Sequence, residues 1–280
     1  MNRTPSIPLP SGEKIAALGQ GTWHFGERPT RWAEEVASIR LGVDLGMTLI
    51  DTAEMYGNGA AETLVGEAIT GRRSEVFLVD KVLPHHATRV GTVRACEASL
   101  VRLGVDYIDL YLLHWRGRIP LVETIEGFAE LKQNGMIRHW GVSNLDIDDM
   151  IELSGVPGGD EVQVNQILYN LTRRGPEYAL LPWLAQHRIP PMAYSPIEQG
   201  RLLEHPALQP IALQYNATPA QIALAWVLQH DGVNAIPRAG TPSHVRQNAA
   251  ARDIELNRDD LHALDQAFPP PNRPRPLEVL

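Results

Sequence analysis

The sequence predicts a closed parallel α/β barrel of the (β/α)8 TIM-barrel class, on three observations. Apolar runs of strand length alternate eight times with longer segments of helical period. The length of 280 residues suits such a barrel, which typically takes about 250. Three of the apolar runs end in, or just before, charged or hydrogen-bonding side chains, as expected where strand ends carry a site.

An N-terminal β-hairpin is expected first, from residues 6–8 and 14–16, which flank a Ser-Gly turn and would close one barrel end. The first barrel strand is read at 18–23 and its helix at 31–45. The following strand and helix pairs are read at 48–51 and 60–70, 76–81 and 90–103, 107–114 and 121–134, and 137–142 and 145–153. The last three are 161–166 and 178–187, 191–195 and 219–229, and 234–237 and 243–251. Helical period shows in Val93, Cys96, Leu100 and Leu103, which return to one face. After the eighth unit, 258–268 reads as an extra C-terminal helix, and the Pro-rich PPPNRPRP begins a tail expected to run extended along the surface. With no short-period repeat and no linker, residues 1–280 are read as a single domain. An open doubly wound sheet is the alternative, because strand order is not written in sequence.

Composition narrows the function classes. A net charge of −8 argues against a nucleic-acid binder, which needs clustered Lys and Arg to neutralise phosphates. The single cysteine, Cys96, forms no internal disulfide, and no Cys/His spacing suggests a metal site. No stretch approaches the roughly 18 apolar residues of a membrane span, and the N-terminus lacks a signal-type apolar core. A cytoplasmic, monomeric protein without membrane or nucleic-acid partners is therefore expected.

The chemistry gathers on Asp51, Tyr56, Lys81 and His114. Asp51, Lys81 and His114 end the second, third and fourth barrel strands, and Tyr56 follows in the second loop. Consecutive strands are neighbours in such a barrel, so these side chains converge at its C-terminal end. Hydride transfer to a carbonyl leaves negative charge on oxygen, which requires an adjacent proton donor. A phenol, with a pKa of about 10, is a weak acid at neutral pH. Lys81 is expected to lower that pKa, Asp51 to keep Lys81 charged, and His114 to orient the carbonyl oxygen. Together they point to a carbonyl reductase. Each has a plainer reading as cap, turn or packing residue, and it is their joint occurrence at strand ends that favours catalysis. Ser143 and Asn144 could likewise cap the helix expected at 145. His85 and His86 read as surface loop, Cys96 as core, and Asp146, Asp148 and Asp149 as a solvated helix start.

Familiar nucleotide motifs are missing. Gly19 and Gly21 begin a GxG, but His24 stands at the third glycine position; after Gly57 and Gly59 that position is Glu62. Neither completes a dinucleotide fingerprint, and there is no P-loop or HExxH.

The strings DTAEMYGNGAAETLVGEAI, FLVDKV and DYIDLYLLHW resemble the aldo-keto reductase superfamily, and the similarity continues through WGVSNL, VNQILYN and MAYSPI over essentially the full chain. GQGTWHFGE and ACEASLVRLGVDYIDLYLLHW are most similar to the bacterial branch that reduces methylglyoxal and other small or aromatic aldehydes. The resemblance implies an NADPH-dependent reductase with Tyr56 as general acid, with NADH as the alternative cofactor. It implies a nicotinamide held by Ser143, Asn144 and Gln166 and stacked on Tyr194, with Ser195 and Ile197 near the pyrophosphate. Gly21, Thr22, Trp23 and Asp51 would also lie against the cofactor, and Arg238, His244, Gln247 and Asn248 would recognise its adenosine end. Here the chain departs from the common pattern of the family: IPRAGTPSHVRQN carries Ala239 where a hydroxyl is usual and His244 where an Arg is frequent. Preference for NADPH is therefore expected to rest mainly on Arg238.

Trp23, Phe25, Met55 and Trp115, with Tyr56 and His114, are expected to wall the substrate site and favour small or flat carbonyls. Alternatives are a redox-sensing, NADPH-binding regulatory subunit with little turnover, an NADH-using sugar aldehyde reductase, and a barrel of unrelated lyase or isomerase chemistry.

Overall fold

The computed structural model describes residues 6–280, so the expected absence of a leader falls partly on residues 1–5, outside the described residues. The chain opens with the expected hairpin, β1 (Ser6–Pro8) and β2 (Lys14–Ala16), paired antiparallel. Gly12, at φ 86°, supplies the left-handed residue that its turn requires.

Eight parallel strands follow: β3 (Gln20–Gly21), β4 (Leu49–Asp51), β5 (Phe77–Val82), β6 (Ile108–Leu113), β7 (Ile137–Ser143), β8 (Asn165–Leu168), β9 (Pro191–Tyr194) and β10 (Asn234–Ile236). They pair in chain order, and parallel bridges Leu18↔Ala235 and Gly21↔Arg238 join the last to the first. The sheet is thus a closed barrel, and the open-sheet alternative falls away. The helices wrap it as α1 (Trp32–Asp44), α2 (Ala60–Ile69), α3 (Arg89–Leu103), α4 (Leu121–Gln133) and α5 (Ile147–Ser154), then α6 (Leu180–Gln186), α7 (Leu208–Gln214), α8 (Pro219–Leu228), α9 (Pro242–Ala250) and α10 (Arg258–Ala267). Among the described residues no helix is long and apolar enough to cross a membrane.

Period-two alternation divides the apolar residues between two cores. In β5, Phe77 and Val79 face the barrel interior, while Leu78 and Val82 pack outward against the helices. Leu49, Leu110, Leu112, Val164, Met192 and Ile236 join the interior set. Ile7, Leu9 and Ile15 of the hairpin region pack onto it from the N-terminal end, so β1 and β2 plug the barrel floor.

Apart from shifted element ends, among them a first barrel strand of only Gln20–Gly21 rather than 18–23, the structure differs from the expected elements in three places. The sixth barrel strand is β8 at Asn165–Leu168 rather than 161–166, because residues 159–161 form a short 3-10 turn after the left-handed Gly158. The Gln163 side chain accepts from Ser11 N at 2.8 Å, tying that approach to the hairpin. Helix α7 lies within what reads as a long loop, burying Leu208, Ile211 and Ala212. The tail is largely exposed and without helix or strand, as expected, but its end lies at the barrel mouth, where Val279 and Leu280 line a cavity.

Candidate active site

Carrying the interior register of each strand one step beyond the packed core locates a ring of polar groups. Leu49 leads to Asp51, Val79 to Lys81, Leu112 to His114, Val164 to Gln166, Met192 to Tyr194 and Ile236 to Arg238, each two residues on and therefore on the same face. Gly141, whose added Cβ would meet interior Leu112 and Val164 side chains, leads likewise to Ser143. These residues end seven strands at one end of the barrel.

Lys81 is fully buried and spends its three N–H groups on three acceptors: Asp51 Oδ2 at 2.8 Å, the Thr52 carbonyl at 2.8 Å and Tyr56 Oη at 3.1 Å. Asp51 Oδ1 accepts from Gln166 Nε2 at 2.7 Å. Burial pushes the Asp51 carboxyl above its ordinary value, while the Lys81 ammonium and the N–H donors on both of its oxygens pull it back; with Lys81 donating to three acceptors, the pair is written as carboxylate and ammonium. Burial pulls the Lys81 ammonium down, but the Asp51 and Tyr56 oxygens outweigh it and hold its pKa above the ordinary value.

Tyr56 differs from the expected acidified phenol. Burial pushes its pKa up, Lys81 pulls it back, and the net direction is upward, with Asp51 adding to the rise. Lys81 therefore acts in the expected sense without overcoming desolvation, and the phenol is protonated at neutral pH. Its oxygen already accepts from Lys81, which leaves its own O–H free to donate. The loop that presents it turns through Gly57, Asn58 and Gly59 at φ 56°, 54° and 90°, which explains the Gly-Asn-Gly after the tyrosine.

His114 packs edge-on to Tyr56 with ring centroids 5.9 Å apart, and its Nδ1 is buried without a partner among the described residues. Burial, with Lys81 adding, holds its pKa well below the usual 6.5, so the imidazole is neutral.

A cavity of about 700 Å³ opens over these groups. Asp51, Tyr56, His114, Ser143, Asn144 and Gln166 reach it, as do Tyr194, Ser195, Ile197 and Gly21. Arg238, His244, Gln247 and Asn248 line its other end, and Trp23, Met55 and Trp115 form apolar wall. Among the expected site residues, Lys81, Thr22 and Phe25 do not line it. Lys81 lies beneath it, donating to Tyr56 Oη, and the Thr22 hydroxyl donates to the Asp51 carbonyl at 2.9 Å. Phe25 is buried and offers its ring face to Arg238, 5.1 Å from the guanidinium, instead of forming substrate wall.

Ser143 and Asn144 do not cap α5. Asp146 does, in a capping box with Asp149. Asn144, left-handed at φ 57°, donates to the His114 carbonyl at 3.1 Å and accepts from Tyr194 Oη at 2.9 Å. That conformation turns its side chain into the site. Sequence reading missed Leu203, Val279 and Leu280, which add apolar wall, and Thr218 to Ala220 at the start of α8. The Thr-Pro-Ala-Gln capping box of α8 was a readable signal for that helix end; nothing local marks the tail. Among the described residues no group of His, Cys, Asp or Glu could hold a metal ion.

Relatives carry the same framework across the whole chain. The methylglyoxal reductase YeaE of Escherichia coli is 51% identical over 271 residues, 95% of each chain. An aldo-keto reductase of Mycobacterium avium is 34% identical, covering 93% of this chain and 89% of its own. A crystal structure of an aldo/keto reductase from Klebsiella pneumoniae in complex with NADP and acetate superposes with a TM-score of 0.97 at 48% identity, covering 99% of this chain and all of that one. Residues 17–268 match the aldo/keto reductase family from the first barrel strand to the last helix, and the chain belongs to that family.

Proposed function

We propose that this protein catalyses the NADPH-dependent reduction of small aldehydes and 2-oxoaldehydes of the methylglyoxal type, aromatic aldehydes included, to alcohols. The carrying observation is the Tyr56 hydroxyl, 3.1 Å from the Lys81 ammonium, opening on an apolar-walled cavity. Half-identity to a methylglyoxal reductase supports the substrate class, and the NADP complex of the Klebsiella structure supports the cofactor.

The residues fit such a cofactor. Asn248 Nδ2 is buried at the cavity without a partner among the described residues, and Arg238 lines the same end. Arg238, His244, Gln247 and Asn248 would hold the adenosine end, and Ser195 and Ile197 the pyrophosphate. Gly21 and Trp23 would lie beside the cofactor. Ser143, Asn144 and the free Oε1 of Gln166 would bind the carboxamide, with Tyr194 beneath the ring. When bound, NADPH supplies the hydride that reduces the carbonyl carbon.

The protein's own groups manage the oxygen. Tyr56 gives its proton to the carbonyl oxygen as negative charge develops there, and the phenolate left behind keeps its hydrogen bond from Lys81. Asp51 holds Lys81 charged and in place. Neutral His114 donates to the same oxygen without competing as an acid. Trp23, Met55 and Trp115 exclude water and suit small or flat carbonyls.

Tyr56→Phe tests the assignment. Loss of the general acid should lower turnover of methylglyoxal and phenylglyoxal by about 10²- to 10⁴-fold, while NADPH binding measured by fluorescence stays unchanged. Near-normal turnover in the variant would remove Tyr56 from the mechanism.

A further inference from the structure

We propose that Arg31, which belongs to the loop after the first barrel strand, is a second ligand of the cofactor's 2′-phosphate, acting beside Arg238. The inference rests on the reading that the cavity binds NADPH and adds a residue outside the stretch after β10, where phosphate recognition was expected.

In the stretch after β10, Ala239 has no hydroxyl and His244 stands where a permanent cation would be stronger. Barrel closure supplies a cation from elsewhere. Gly21 bridges Arg238, so the loop from Thr22 to Arg31 runs beside the loop from Pro237 to Thr241. At its end Arg31 Nη2 donates to the Gly240 carbonyl at 2.8 Å, across 209 positions of sequence. A Cβ on Gly240 would lie 3.2 Å from Arg31 Nη2 and 3.5 Å from Arg238 Nη2, so the two guanidinium tips flank one point.

Arg238 is held from behind, and Arg31 less so. Arg238 lies over the Phe25 ring and leans on buried Glu35, 3.7 Å away, whose other oxygen accepts from Gly26 N at 2.9 Å. Arg31 is only loosely matched by Glu34, at 3.3 Å and half exposed to water. Desolvation depresses the pKa of Arg238, and the positive charges of Arg31 and Arg28 act in the same direction against Glu35 and Glu27. Two neighbouring guanidiniums repel each other until an anion comes between them, and a phosphate monoester with a charge near −2 offers oxygens for both forks. NADH has only a hydroxyl at that position, so the gain belongs to NADPH alone.

The test separates charge from bracing. Arg31→Gln keeps an N–H donor for the Gly240 carbonyl and removes the charge. Dissociation constants for NADPH, NADH and 2′-AMP are measured by quenching of intrinsic fluorescence, for which Trp23 and Trp115 in the cavity wall are suited. Loss of one charge-assisted contact should weaken NADPH and 2′-AMP by about tenfold while leaving NADH within about twofold. Arg238→Gln should act in the same sense, and the double variant should approach the affinity of the wild type for NADH. Unchanged NADPH affinity in Arg31→Gln would overturn the proposal. Equal weakening of NADPH and NADH would also overturn it, since Arg31 would then only brace Gly240. Failure of the wild type to bind either nucleotide would overturn the cofactor reading itself, and this proposal with it.

Discussion

Burial does as much at this site as charge. Lys81 and Asp51 are placed as the chemistry of their side chains leads one to expect, yet desolvation decides the direction in which Tyr56 and His114 titrate. The consequence for His114 can be measured away from catalysis. Its folded pKa is depressed below the 6.5 of a free histidine, so as pH falls through 6.5 the unfolded chain takes up a proton that the folded chain refuses. Stability associated with this group is therefore full above about 6.5 and is lost progressively toward the lower folded value. The melting temperature of the wild type should fall more steeply between about pH 6.5 and 5 than that of His114→Gln, whose side chain does not titrate. Parallel curves for the two proteins would mean that His114 protonates in the folded chain without penalty. The contrast with Tyr56 shows what sequence reading misses at this scale. The sign of a charge–charge effect follows from residue types, whereas a desolvation penalty depends on how completely the fold closes over the group.

Elements were legible where periodicity and local capping both spoke. Leu49 with Asp51, Val79 with Lys81 and Leu112 with His114 place core and candidate-site residues on one face, so period two alone leads from packed interior to polar rim. Helix α7 escaped because seven residues with Pro210 in the first turn hardly show a period. The tail escaped for a different reason, since its position is set by distant partners. Leu277 N donates to Asp146 Oδ2 at 2.8 Å, and Glu278 pairs with Arg173, which also holds Glu198 at 2.8 Å. The two contacts made by the tail itself cross more than a hundred residues and leave no local trace. They seat Val279 and Leu280, each about half exposed, against the cavity. Ending the chain after Pro276 should therefore widen the substrate side and cost about 1 kcal/mol of apolar contact, raising KM for phenylglyoxal about fivefold. NADPH affinity should change far less. Arg173→Ala should reproduce part of the KM effect by releasing Glu278. An unchanged KM in the truncated chain would mean that the last residues cover the mouth without touching substrate.

At the scale of the whole molecule, the barrel closes at its weakest-looking seam, and the proposed cofactor end sits directly above it. β3 is only two residues long, and the join to β10 depends on Gly19 N to the Ala235 carbonyl at 2.8 Å, Ala235 N to the Ala17 carbonyl at 2.9 Å and Gly21 N to the Pro237 carbonyl at 3.1 Å. Glycine is required here for space. A Cβ on Gly19 would come within 2.7 Å of Leu49 Cδ2 and 2.9 Å of the Leu49 carbonyl, and one on Gly21 within 2.8 Å of the Ile236 carbonyl. Gly19 faces packed interior, so Gly19→Ala should destabilise by about 1–3 kcal/mol through overpacking. Gly21 lies one step higher, where the clash is with backbone and the displaced neighbour is the segment leading to Arg238. Gly21→Ala should therefore combine a similar loss of stability with weaker binding of both NADPH and NADH, because the β10 loop would shift as a unit. Denaturant midpoints at constant m-value, set beside nucleotide dissociation constants, distinguish the two variants. Gly19→Ala should lower the midpoint with near-normal binding, and Gly21→Ala should change both. If Gly21→Ala altered stability alone, the seam would be structural scaffolding only, and the nucleotide end would be positioned by α9 independently of barrel closure.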